Sequence, residues 1–475
     1  MLFSSSVFLF AFLPIVLLFY YGFFRGNRPA QNGMLLLSSL FFYAWGEPWF
    51  VLVMMGSILL NYGLGLWANL RLRRKKPVRL PVICALFSNL GLLFVFKYLV
   101  FVLESLNLLG AQLMVPVIRL PIGISFFTFQ ALSYVLDVAW GHTAVQRRLW
   151  GVALYISFFP QLIAGPIVTY GTVALQLEGR RESWADFSTG LCRFVFGLGK
   201  KILIANQLAL VADRAFDTFG GNLAAPMAWL GSVCYTLQIY YDFSGYSDMA
   251  IGLGKMFGFH FLENFRYPYA ASSITEFWRR WHISLSTWFR DYVYIPLGGS
   301  QSGSREKTVR NLFVVWLFTG IWHGANWTFL CWGLFYFLLI YAEKFLFPPV
   351  HPPKWVGHLY TLLMVNFAWV IFRAASLPAA FSFLSAMFRI TPDPEQTTVV
   401  LLYLRENWAV LAAALVFSFP AAKVMGRTLS ELRPDGRSLA PLMNTGYTLL
   451  VAAIFLASVS LLVKGTYNPF IYFNF

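Results

Sequence analysis

Two histidines of this chain occupy positions where an imidazole is costly. His323 lies in the stretch IWHGANW, 321–327, inside residues 311–342, which carry no formal charge between Arg310 and Glu343. An ionisable group in such a run admits two readings: a packed core histidine making one helix-to-helix hydrogen bond, or a functional proton acceptor. Gly320 and Gly324 on either side let another backbone or a ligand approach closely. His282 lies in the string WRRWH, 278–282. On a continuous helix it shares a face with Trp278, Leu285 and Phe289, so it points at packed aromatics. A histidine in an aromatic interfacial belt is the plain reading, and a catalytic one the alternative. A neutral imidazole is matched to accepting a proton from a hydroxyl near neutral pH.

The other groups that could serve such an imidazole lie nearby in sequence. Asn326, Trp322 and Trp327 flank His323, and Trp278 and Arg279 open the string around His282. Asp242 and Asp248 bracket FSGYS at the end of an apolar run, where they either cap a turn or orient an imidazole. No acid pairs with a histidine at metal-ligand spacing, so no metal site is expected. The phosphate-cradling pattern G-x-x-x-x-G-K-[ST] is absent as well. His142, His260, His351 and His358 sit in loops or at span ends and receive no role.

The elements that hold these residues follow from composition. At 58% hydrophobic and 12% charged residues, the chain is too apolar for a water-soluble globule and belongs to the polytopic membrane class. Apolar runs of roughly 20 residues recur without strand-like alternation, which predicts membrane-spanning helices. The predicted spans cover 3–23, 33–46, 50–68, 81–104, 121–140, 149–170, 188–212, 224–243, 311–342, 357–374, 400–423 and 442–463. As one straight helix, 311–342 would be roughly 48 Å long against a hydrocarbon core of about 30 Å, so it must break, and the glycines put the break at His323. A break at that depth must face protein or a water-filled cavity.

Charge places the loops. The net charge of +16 is gathered in short loops, above all RLRRKKPVR at 71–79, rather than on a face suited to nucleic acid, which is not expected as a partner. Arg25, Arg28, the 71–79 cluster, Arg147 and Arg148 fall on one side, which puts the N-terminus outside and basic clusters against anionic lipid. The four cysteines lie in or beside apolar segments and act as small core residues. From Ser273, with Glu276 as its capping-box partner, one amphipathic Trp- and Arg-rich helix is predicted to run until Pro296, Gly298 and Gly299 end it. No linker or repeat divides the chain, so 1–475 is expected to be one integral domain.

Four strings carry a resemblance: YYDFSGYSDMAIGLGKMFGF, WRRWHISLSTWFRDYVYIPLGG, GIWHGANWTFLCWG and the closing PFIYFNF. They resemble the membrane-bound O-acyltransferase family, within it the bacterial alginate O-acetyltransferase branch, over nearly the whole chain and most densely at 240–332. The resemblance implies an all-α bundle of about eleven to thirteen transmembrane segments, with re-entrant or interfacial helices, around a central tunnel. It carries the family's catalytic histidine onto His323 and its second histidine onto His282. It implies a multi-pass protein of the bacterial inner membrane, with no bound cofactor. The donor would be a cytoplasmic thioester, acetyl-CoA or an acyl carrier protein. The acceptor would be a hydroxyl of an extracytoplasmic polysaccharide or of an extracytoplasmic partner protein. The alternatives are a D-alanyl transferase acting toward teichoic acid and a polysaccharide or lipid transporter without chemistry.

Overall fold

The computed structural model describes residues 1–163, 165–218, 222–300, 303–347, 353–389, 393–421, 440–465 and 467–469, and every regular element among them is helical. That is what a chain without water to satisfy its backbone requires. Seven of these helices are long and apolar enough to cross a membrane, and three shorter ones are also apolar. The chain divides into two compact units, Met1–Phe194 with Met249–Leu262, and Val195–Asp248 with Glu263–Phe475.

The first unit contains α1 (Phe8–Phe23), α2 (Arg28–Gly46), α3 (Phe50–Arg73), α4 (Arg79–Leu108), α5 (Ile124–Ala139), α6 (Leu149–Ser157) and α7 (Tyr170–Gly179). Asn61 of α3 and Asn89 of α4 exchange side-chain amide bonds of 3.2 and 2.8 Å, a polar clasp between two apolar helices. The predicted span 149–170 is not one helix. Its backbone leaves the helix at Phe158 (ψ 111°), and a single turn, Phe159–Leu162, follows. Pro160 is the physical reason, because it has no N–H to donate and its ring would clash with the preceding turn. The freed N–H of Phe159 donates to the Ser39 hydroxyl at 3.1 Å, so the break is satisfied inside protein.

A charged clasp ties the start of α2 to the loop after α7. The Arg28 guanidinium pairs with the Glu182 carboxylate, and Tyr20 donates to the same carboxylate at 2.5 Å. Burial alone would raise the Glu182 pKa, but the bonds from Arg28 and Tyr20 outweigh it and hold the carboxyl below its ordinary 4.5. A lowered carboxyl pKa contributes stability above the unfolded value that disappears as pH falls through the folded one. The difference in melting temperature between the protein and its Glu182→Gln variant should therefore be largest near neutrality and shrink below about pH 4.5. A difference that stays constant down to pH 3.5 would show that the charge is irrelevant.

Two helices carry the chain between the units: α8 (Trp184–Asp217) and α9 (Ala225–Met256). The string DFSGYSD was read as the end of a span and a turn. It is instead the interior of α9, which runs on unbroken to Met256. The reason lies on α8, where Lys201 pairs with Asp242 at 2.5 Å and Lys200 with Asp248 at 2.6 Å, so neither acid needs a turn or solvent. Gly245 between them permits the contact, since a Cβ there would lie 2.8 Å from the Gly197 carbonyl.

The rest of the second unit comprises α10 (Ile274–Arg280), α11 (Ile283–Phe289), α12 (Arg305–His323), α13 (Trp327–Phe345), α14 (Lys354–Arg373), α15 (Leu377–Ala386), α16 (Pro394–Phe417) and α17 (Ala440–Lys464). The expected break at His323 is present, and it reverses the chain. A Cβ on Gly320 would meet the Phe329 carbonyl at 2.6 Å, and one on Gly333 the Trp316 carbonyl at 2.5 Å. That register makes α12 and α13 an antiparallel hairpin closed by Gly324–Asn326.

The single amphipathic helix expected from Ser273 is also broken, at His282. Its backbone is left-handed there (φ 43°, ψ 54°), a conformation a non-glycine residue adopts only when the surroundings impose it. The imposing bonds come from a preceding extended segment: Arg266 N–H donates to Arg280 O at 2.9 Å, and Ile283 N–H to Asn264 O at 3.0 Å. Ser273 caps α10 as predicted, accepting from Glu276 N–H at 3.0 Å. Glu276, however, reaches back to the N–H and hydroxyl of Ser272 rather than of Ser273.

The remaining cap comes from another helix. Glu343 of α13 accepts the N–H groups of Ile274 and Thr275 at 2.6 and 2.9 Å, and the Thr275 hydroxyl at 2.6 Å. This carboxylate fixes α10 to the hairpin at the positive end of its dipole. Glu343→Ala should cost about 1–2 kcal/mol, seen as a lower melting temperature of the detergent-solubilised protein. An unchanged melting temperature would mean that water replaces the carboxylate without loss.

Candidate functional site

The hairpin and the α10–α11 break bring the two imidazoles into contact with one indole. The ring centroid of Trp322 lies 4.9 Å from that of His323 and 6.0 Å from that of His282, all in the second unit. His323 is 6% exposed, at the last position of α12 where Gly324 takes the backbone out of the helix (φ −176°, ψ 162°). Its ring is enclosed edge-on by Trp332 of α13 at 4.8 Å and Phe372 of α14 at 5.2 Å. His282 is fully buried, with Phe243 of α9 perpendicular to it at 4.5 Å.

The bonds around His282 are more informative than its burial. Its Nδ1 lies 3.2 Å from Asn264 Oδ1, and that oxygen also accepts the Ser284 N–H at 3.2 Å and the Ser284 hydroxyl at 2.9 Å. Asn264 Nδ2 in turn donates to the Ser247 hydroxyl on α9 at 2.9 Å. The opposite ring nitrogen, Nε2, is buried and has no hydrogen-bond partner among the described residues.

The remaining residues singled out in the sequence have different surroundings. Trp278 is buried on α10 with its ring 4.8 Å from Trp316 and 4.9 Å from Tyr336. Trp332 contacts both this ring, at 5.6 Å, and that of His323, at 4.8 Å. Asn326 caps α13, accepting from Thr328 N–H at 3.1 Å and donating to the Ala375 carbonyl at 3.0 Å, so it holds the turn that carries His323. Trp327 is 51% exposed. Arg279 is exposed too, while its neighbour Arg280 pairs with Glu276 at 2.5 Å. Asp242 is bound into its buried pair with Lys201, and the adjacent Phe243 is the residue that touches His282.

Three participants escaped the sequence reading. Asn264 and Lys201 carry no signal in the linear pattern, and Ser247 is visible only as part of FSGYS between Asp242 and Asp248. Their partners lie 17, 18 and more residues away in sequence, beyond any helical or strand period. Among the described residues no group of three or more His, Cys, Asp or Glu side chains converges as a metal site would require.

Residues 147–386 match the family model described as MBOAT, membrane-bound O-acyltransferase family, and this match takes in both imidazoles, Asn264 and the whole hairpin. The chain belongs to that family. It is therefore an acyltransferase of the membrane, and the polytopic helical class expected from composition holds. A relative over its full length is the "Probable alginate O-acetylase AlgI" of Pseudomonas putida, 40% identical, with 100% of each chain covered. The "Peptidoglycan O-acetyltransferase" of Helicobacter pylori is 37% identical over 82% of this chain and 80% of its own. The "Teichoic acid D-alanyltransferase" of Bacillus subtilis is 28% identical over 47% of this chain and 59% of its own.

In a family that moves acyl groups onto oxygen, the site has the parts such a step needs. Attack of a hydroxyl oxygen on a carbonyl requires a group that takes the hydroxyl proton, and a neutral imidazole does so. Aromatic walls around both rings exclude water, the competing nucleophile.

Proposed function

We propose that this chain is an O-acetyltransferase of the bacterial inner membrane, with 1–475 as one transferase domain. The donor is a cytoplasmic thioester, acetyl-CoA. The acceptor is a hydroxyl of an extracytoplasmic polysaccharide, reached directly or through an extracytoplasmic partner protein. The observation that supports this reading best is the pair of buried imidazoles sharing Trp322 within the family-matched region. The full-length likeness to alginate O-acetylases favours acetyl over D-alanyl transfer, for which the likeness covers less than half the chain.

His323 is the general base in this reading. The acceptor oxygen bonds to the thioester carbonyl carbon while its proton passes to the imidazole. The C–S bond then breaks, and the proton leaves with the thiolate as free thiol. His282, whose ring centroid lies 6.0 Å from that of Trp322, orients the reacting groups or shares the proton. Positioning the two reactants together supplies part of the rate.

The test uses the full-length protein in lipid nanodiscs with acetyl-labelled acetyl-CoA and an alginate-type polyuronate. Alkali-labile label on the polymer, or on a co-purified partner protein, is the expected result. Transfer only from a charged carrier protein would replace the acetyl reading with the D-alanyl one. Polymer movement without any label transfer would replace both with transport.

A further inference from the structure

We propose that Asn264 is a positioning residue that fixes the proton of His282 on Nδ1 and so leaves Nε2 as a bare lone pair for chemistry. This rests on the reading of the two imidazoles as the transfer site and adds a residue to it.

The direction of each bond follows from groups that have no choice. The Ser284 backbone N–H can only donate, and it lies 3.2 Å from Asn264 Oδ1, which makes that atom the amide oxygen. The amide nitrogen then faces the Ser247 hydroxyl at 2.9 Å, consistent with the same orientation. An oxygen that can only accept stands 3.2 Å from His282 Nδ1, so in the neutral ring Nδ1 carries the hydrogen and Nε2 does not. The Ser284 N–H thus selects the amide face, the amide face selects the tautomer, and the tautomer decides which nitrogen can take a proton.

Two further observations make a purely structural histidine a poor explanation. Nε2 is buried with no hydrogen-bond partner among the described residues, whereas a buried imidazole kept only for packing would satisfy both nitrogens. The backbone at His282 is also held left-handed, at φ 43°, which is strain imposed by Asn264 O and its neighbours on the residue they present. The same asparagine therefore places the ring with its backbone carbonyl and orients it with its side chain.

The test compares Asn264→Ala with Asn264→Asp in the full-length protein. A carboxylate keeps the acceptor for Nδ1–H and for Ser284 N–H, and the Ser247 hydroxyl can donate to it. Asn264→Asp should therefore keep kcat within about fivefold, while Asn264→Ala should lower kcat about 10- to 100-fold, with KM for acetyl-CoA within about twofold for both. A merely structural asparagine gives the opposite order, because a buried charge disturbs packing more than a methyl group does.

Solid-state 15N NMR of histidine-labelled protein in lipid reads the tautomer without any turnover, the His282 signals being assigned by their loss in His282→Asn. A pyrrole-type Nδ1 and pyridine-type Nε2 in the wild type, replaced by a mixture in Asn264→Ala, is the expected result. An unchanged tautomer in Asn264→Ala, or equal kcat in that variant, would overturn the proposal. If the wild type transfers nothing from acetyl-CoA, the acetyl reading fails and the NMR alone decides the role of Asn264. Should Asn264→Asp not accumulate folded, Asn264→Ala decides by tautomer.

Discussion

His323→Ala should lose acyl transfer, with kcat lowered about 10²- to 10⁴-fold, while the protein still inserts and folds. The magnitude is what a positioned proton acceptor contributes to attack by a hydroxyl, and the ring is the group at the end of α12 that can accept a proton there. Truncation also leaves a cavity among Trp322, Trp332 and Phe372, so some stability is lost with the activity. His323→Gln separates the two effects, because it refills most of the volume and cannot act as a base near neutral pH. Both variants should elute as folded protein from size exclusion in detergent, and neither should transfer label. Transfer at the wild-type rate by His323→Gln would remove His323 from the chemistry and leave it a core histidine.

Lys201→Met should be strongly destabilising. The ammonium and the Asp242 carboxylate are 2.5 Å apart, with side chains 3% and 2% exposed, and Lys201 Nζ also donates to the Pro469 carbonyl. Removing one partner of a buried pair leaves an uncompensated charge, which costs about 3–5 kcal/mol. Replacing both partners by apolar groups of similar size is much less costly. The double variant Lys201→Met/Asp242→Leu should therefore regain most of the melting temperature that the single variant loses. Activity has a separate expectation, since Asp242 precedes the Phe243 ring that lies against His282. A Lys201→Met protein as stable as the wild type would show that the pair is hydrated and its burial apparent only.

The contrast between His323 and His282 shows how far a linear pattern reaches. The break at His323 followed from length, because an uncharged run too long for the bilayer must fold back and Gly320, Gly324 and Gly333 let it do so closely. The break at His282 interrupts a well-formed apolar periodicity, and no local residue announces it. It exists because Asn264 and Arg266 supply hydrogen bonds that replace those of a continuing helix. The same logic explains DFSGYSD, where two acids that looked like a turn stay helical because Lys200 and Lys201 neutralise them. In the first unit the apolar run 149–170 suggests one span, and Pro160 divides it.

By itself the sequence determined the solvent, the helical class, the family and the position of His323. These follow from composition, run length and motif strings, which are properties of neighbouring residues. Only the tertiary structure decided that the two imidazoles share Trp322, that Asn264 bonds to one of them, that Lys201 pairs with Asp242 on α9 beside it, and that Glu343 caps α10 from another helix. Those assignments depend on which unsatisfied donors and acceptors meet when distant helices pack. In a membrane, where no water stands in for a missing partner, such meetings override local periodicity.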